Sequence, residues 1–135
     1  MDLDTRIRAS FARQNMMQTL GARLVSVAPG AVSIEAAIRP DLQQQLGYAH
    51  AALAFAIGDS AAGYAALSVM PEDKEVVTSE MKVHLLAPAV GETLIARGRV
   101  IKPGRRLVIV SADIYAVANG KETHAALLTG TTVPV

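Results

Sequence analysis

From Leu46 to Met70 the chain reads LGYAHAALAFAIGDSAAGYAALSVM, a run with no lysine or arginine and one acid, Asp59, near its middle. The run is long enough to cross a bilayer. A carboxylate at mid-bilayer costs about 2.5 to 3.5 kcal/mol on insertion scales, and side chains of alanine, glycine and serine return little of it. The stretch therefore reads as a helix buried in a soluble protein, because a helix that is apolar nearly all round must be covered on most sides. Nine alanines between Ala49 and Ala66 keep its surface thin, so a sheet or another helix can approach closely.

The remaining sequence supplies that cover. Residues 4–19 carry Ile7, Phe11, Met17 and Leu20 at roughly helical spacing, with Arg6, Arg8, Arg13 and Gln14 between them, which predicts one surface helix. Ala22–Val27 and Ala31–Ile38 read as two strands joined by Ala28-Pro29-Gly30. A polar loop, Pro40 to Gln45, precedes the buried helix, and Pro71 ends it because proline cannot continue the hydrogen-bond ladder. Beyond Glu75 everything reads as strand: 75–86, 93–102, 106–117 and 123–133. Lys102-Pro103-Gly104-Arg105 has the order of a type II turn, and Asn119-Gly120 is a hairpin signal. Helix, two strands, long apolar helix and four strands give an α+β domain in which a curved, mostly antiparallel sheet wraps a long central helix. One side of that helix stays bare, which predicts a dimer.

Composition narrows the function. A chain of 135 residues has room for one domain, 1–135, and 51% hydrophobic against 19% charged residues excludes disorder. Thirteen basic and twelve acidic residues, a net charge of +1, give no electrostatic hold on nucleic acid or a membrane surface. With no cysteine and only His50, His84 and His124, thiol nucleophiles, disulfides and thiolate metal sites are excluded, and neither metal nor cofactor is expected. The first residues, MDLDTRIRAS, mix acids with bases and lead into no apolar segment, so the chain reads as cytoplasmic.

Several strings then carry a resemblance. Gln44-x-x-Gly47-x-x-His50-Ala51-Ala52, with Asp59 nine residues after His50, resembles the loop and central helix of hotdog-fold acyl-CoA thioesterases of the phenylacetyl-CoA and 4-hydroxybenzoyl-CoA type. Met81 to Leu86 followed by Ala87-Pro88-Ala89-x-Gly91, then Gly98-Arg99-Val100-x-x-x-Gly104-Arg105-Arg106, and Thr129-Gly130-Thr131 are similar to the family's later strands. The likeness covers about residues 20–134. It implies a hotdog fold, hydrolysis of an acyl-CoA to free acid and coenzyme A, and an acid supplied across a dimer interface. Gly63 stands where the 4-hydroxybenzoyl-CoA branch has a threonine, which favours the other branch.

Thioester hydrolysis needs donors that polarise the carbonyl and a carboxylate that attacks or activates water. A helix N-terminus supplies free N–H groups, so the amide of Ala51 is the candidate donor. Asp59 is the only carboxylate on the helix and acts as nucleophile or general base, against the alternative of a paired structural acid. On one ideal helix His50 and Asp59 lie about 13.5 Å and roughly half a turn apart. One helix cannot present both ends to one carbonyl, whereas two antiparallel helices across a twofold axis can. His50 orients reactants or merely hydrogen-bonds the loop before the helix. Gln44 falls where the family carries an amide side chain that holds the carbonyl or the nucleophile. Gly47, Ala52 and Thr78 are assigned to substrate binding, Thr78 near a position where relatives place a water-orienting hydroxyl, although its strand phase is the solvent-facing one of Glu80 and Lys82.

Arg105 and Arg106, with Arg99 and Lys102, form a basic hairpin suited to coenzyme A phosphates or simply to solvent. Tyr48 and Phe55 are candidates to line an acyl pocket. The main departure is His50-Ala51-Ala52 where most relatives read His-Gly-Gly, since alanine resists φ values that glycine permits. The reading is thus an acyl-CoA thioesterase acting as a homodimer or homotetramer. The alternative is a non-catalytic hotdog module that binds acyl-CoA or acyl chains. A dehydratase or hydratase of the same fold lacks its expected motifs here.

Overall fold

The computed structural model describes all residues, 1–135. Its order is α1 (Leu3–Ala12), α2 (Asn15–Thr19), β1 (Arg23–Ala28), β2 (Ala31–Ala37), a 3-10 turn (Pro40–Leu42), α3 (Ala51–Leu67), β3 (Val76–Leu85), β4 (Thr93–Pro103), β5 (Val108–Ala118) and β6 (Lys121–Pro134). The strands form one sheet in the order β1-β2-β4-β5-β6-β3, every neighbouring pair antiparallel. The sheet wraps α3, which packs on β2, β4, β5, β6 and β3, and this is the hotdog arrangement that the resemblance implies. No helix is long and apolar enough to cross a membrane.

Small residues set how closely helix and sheet meet. A Cβ on Gly98 of β4 would lie 2.3 Å from the carbonyl carbon of Ala61, so only glycine lets the α3 backbone rest there. Ala61, Ala62, Ala65 and Ala66 are fully buried. Ala51, Ala52 and Phe55 are exposed and Ala56, Asp59 and Ser60 half-buried, so they mark a bare strip along the first turns of α3 that ends at the acid.

Three expectations need correction. The single helix over 4–19 is two, broken at Arg13-Gln14, where Gln14 takes an extended ψ of 94°. The break turns the Gln14 carboxamide toward α3: its Nε2 donates to Tyr64 Oη at 3.1 Å and its Oε1 accepts from Ser60 Oγ at 3.0 Å. Nor is Arg6 a free surface cation. Its guanidinium donates to the carbonyls of Leu67, Met70, Pro71 and Lys74, tying α1 to the C-terminal end of α3, where a positive charge complements the helix dipole.

The Pro103-Gly104 turn is not type II, because Gly104 lacks the positive φ which that turn requires. Its glycine is needed for proximity instead, since a Cβ would stand 2.3 Å from the carbonyl oxygen of Leu107. The strand after it starts at Val108, leaving Arg105 and Arg106 in the loop. Asn119 and Gly120, with φ of 52° and 77°, do form the expected tight hairpin.

Candidate active site

The N-terminus of α3 is prepared by the loop before it. Gly47, with φ of +83°, turns the chain, and the Oε1 of Gln44 accepts from the backbone N–H groups of Leu46 and Tyr48. That leaves the Nε2 hydrogens of Gln44 unused. His50 is the N-cap: its Nδ1 accepts from Ala52 N at 2.9 Å, and its carbonyl accepts from Leu53 N at 2.9 Å. Among the first amides of the helix these bonds occupy Ala52 and Leu53, while the N–H of Ala51 has no partner.

Ala51 opens onto an apolar cleft of about 370 Å³, walled by Tyr48, Ala54, Leu85, Leu86, Pro88 and Ala126, with Gln44 at its edge. No non-glycine residue near it has positive φ, so Ala51 and Ala52 replace glycines without backbone strain. Ala51 is exposed.

Asp59 lies elsewhere. It faces a second, mostly polar cleft of about 300 Å³ that includes Ser10, Gln14, Ser60, Gly63 and Thr78. Its Oδ1 accepts a hydrogen bond from Thr78 Oγ1 at 2.7 Å. The expectation that Thr78 belongs with Glu80 and Lys82 is therefore wrong, and the reason is a β-bulge. In the β3–β6 ladder Thr78 opposes Thr132 and Glu80 opposes Thr131, so Ser79 is an extra residue and the side-chain phase reverses across it. Thr78 thereby shares the helix side of the sheet with buried Thr132, and remains exposed there.

The two clefts have no residue in common. Ala51 and Asp59 are eight residues apart on one straight helix, about 12 Å along its axis. Of the residues picked from the sequence, Gln44, Tyr48 and Ala51 meet in the first cleft, and Asp59 and Thr78 in the second. His50 and Ala52 line a third, smaller cleft beyond the helix end. Gly47 shapes the loop and lines no cleft, and Phe55 sits on the bare strip of α3.

Arg105 and Arg106 are exposed at the β4–β5 tip with no ion pair or hydrogen bond. Through Val108, Thr132 and Thr78, paired in successive strands, that tip lies at the same end of the sheet as Thr78. Gln14, Tyr64 and Ser10 also line the second cleft and were not legible from the sequence, because only the helix break turns Gln14 toward α3. A bidentate ion pair, Arg97 with Glu122 at 2.6 and 2.9 Å, stands on the far side of the sheet, where hydrogen bonds from Arg97 hold the Glu122 carboxyl below its usual range.

Comparison with known proteins agrees with this fold. The family model described as Thioesterase superfamily matches residues 46–123. A thioesterase family protein from Silicibacter pomeroyi is 42% identical and superposes with a TM-score of 0.97, over 99% of this chain and 98% of that one. The E. coli PaaI protein of the phenylacetic acid degradation operon shares the fold with a TM-score of 0.87 at 19% identity, over 98% of this chain and 93% of its own. Human acyl-coenzyme A thioesterase 13 is 29% identical over 117 residues, 85% of this chain and 83% of that protein.

Proposed function

The chain belongs to the thioesterase superfamily and is a thioester hydrolase, and from this we propose that it cleaves acyl-CoA esters at a site built by two copies of the chain. The likeness to acyl-coenzyme A thioesterase 13 supports the substrate class. The observation that carries the shared site is the separation of its halves: an unpartnered helix-terminal N–H in one cleft, and a carboxylate held by a hydroxyl in another.

A second copy joins them. β3 is a ten-residue edge strand, paired only with β6, and leaves one side of its backbone open. An unpaired edge of that length invites another strand. Antiparallel pairing of two β3 strands about a twofold axis continues the sheet and sets the two α3 helices side by side and head to tail. Ala51 of one copy then faces Asp59 of the other, and each dimer has two sites.

In this arrangement the thioester oxygen accepts from the Ala51 N–H and from Gln44 Nε2. Asp59 removes a proton from water, with Thr78 fixing one carboxylate oxygen so that the other is aimed. The resulting hydroxide adds to the carbonyl carbon, and the negative charge that forms on oxygen is stabilised by the two donors and the helix dipole. Collapse breaks the carbon–sulfur bond, and the proton on Asp59 passes to the departing thiolate. His50 keeps the Ala51 amide free by occupying its neighbour. The exposed cations of the β4–β5 tip, Lys102, Arg105 and Arg106, meet the phosphates of coenzyme A.

Asp59→Asn tests the reading. It should abolish thiol release from a panel of acyl-CoAs while light scattering still shows dimers; undiminished rates would remove Asp59 from the chemistry.

A further inference from the structure

Three glycines lie where α3 meets its surroundings, and two of them are explained by contact. A Cβ on Gly98 would strike the Ala61 backbone, and one on Gly58 would come within 2.9 Å of Ile114 and Leu128. Gly63 is different. It is buried in the middle of the helix, yet a Cβ there would meet nothing within 4 Å. Glycine inside a helix weakens it relative to alanine, because it gives up more conformational freedom on folding. No packing within the protomer asks for that sacrifice, so the reason lies in the space itself.

That space is the Asp59 cleft. Gly63 follows Asp59 by four residues, which puts both on one face of α3, one turn apart. Both line the same 300 Å³ cleft. The wall beyond is rigid, since Tyr64 Oη accepts from Ser10 Oγ at 3.2 Å and Gln14 Nε2 at 3.1 Å, and Ser60 Oγ donates to Gln14. Beside Asp59 the space over Gly63 is free, since a Cβ there would meet nothing within 4 Å.

We propose that Gly63 is a specificity-determining position whose missing side chain makes room, beside the Asp59 carboxylate, for bulk on the first carbons of the acyl group. The inference rests on the reading of Asp59 as the catalytic acid. The atoms bonded to the reacting carbonyl lie within a few ångströms of whatever attacks it, so a branch on the α-carbon falls over Gly63. A straight chain needs less of that room. Any side chain at residue 63 narrows the cleft for branched acyl groups first.

The test compares wild type and Gly63→Ala on butyryl-CoA and isobutyryl-CoA, isomers that differ only in branching at the α-carbon. The ratio of kcat/KM for isobutyryl- to butyryl-CoA should fall by about 10-fold or more, the least discrimination a hydrocarbon pocket draws from one carbon. The Tm should rise by about 3 °C, because the helix gains alanine without a clash. An unchanged ratio overturns the proposal. So does an equal loss on both esters, which would place the thiol arm of coenzyme A over Gly63. A lower Tm with weaker dimers would mean that the glycine serves subunit packing, and would also overturn it. An Asp59→Asn protein that stays fully active refutes the parent reading instead, and the two failures are thus told apart.

Discussion

Replacing Ala51 by proline deletes one hydrogen atom of the proposed site and almost nothing else. Ala51 is the first residue of α3, the helical position where proline is best tolerated, since its fixed φ suits the first turn and no intrahelical bond is lost. His50 before it has φ −62° and ψ 142°, extended values that a following proline favours. The deleted N–H donates to nothing in the protomer, so stability should change little. Catalysis should change greatly. Loss of one donor to a developing oxyanion costs about 100- to 1,000-fold in kcat, or roughly 2.7 to 4 kcal/mol. Gln44 Nε2 remains as a second donor, which places the expectation near the lower end. The assay is steady-state thiol release from an acyl-CoA, with thermal melting as the check on folding and Ala51→Gly, which keeps the N–H, as the control. A folded Ala51→Pro protein within about threefold of wild-type kcat would refute the assignment of the amide.

Other expectations follow from the same geometry. Thr78→Val removes the hydrogen bond to Asp59 and should lower kcat by about 10-fold with little change in KM, the scale of a bond to a charged group; a change in KM alone would make Thr78 a binding residue. In a single turnover run in 18O-labelled water, a general-base Asp59 puts the label directly into the released acid, whereas label appearing in the Asp59 side chain would show that the carboxylate itself attacks. Gly98→Ala forces a methyl group into the Ala61 backbone and should destabilise the fold by about 3 kcal/mol in urea unfolding; a loss below about 1 kcal/mol would mean that α3 can lift off β4 freely.

The sequence carried most of the fold because its strongest signals are local and periodic. The apolar run with one acid dictated a buried helix, and alternation dictated strands whose ends fell within a few residues of their true positions. Asn119-Gly120 named its own turn. What stayed hidden depends on events that no period announces. The extra residue at Ser79 reverses the face of Thr78, and only the strand register of β3 against β6 reveals it. The helix break at Gln14 is enforced by partners on α3, 46 and 50 residues away along the chain, so residues 4–19 by themselves read as one helix. Gly104 looked like a turn glycine and is a contact glycine. On the site side, Asp59, Ala51 and Gln44 are candidates that spacing and resemblance single out, whereas their division between two clefts required coordinates. The capping role of the His50 ring, which lines neither of those clefts, likewise needed coordinates.

In the proposed dimer each site takes its amide from one copy of the chain and its acid from another, and mixed dimers test this most directly. Asp59→Asn protein retains the amide half and Ala51→Pro protein retains the acid half. Unfolded together in equal amounts and refolded, half of the dimers contain one copy of each, and one of the two sites in such a dimer is intact. The mixture should regain about a quarter of wild-type activity from two nearly inactive parents. Activity that stays at the average of the two parents, with exchange of subunits verified by mass, would contradict the account and return the whole site to a single chain.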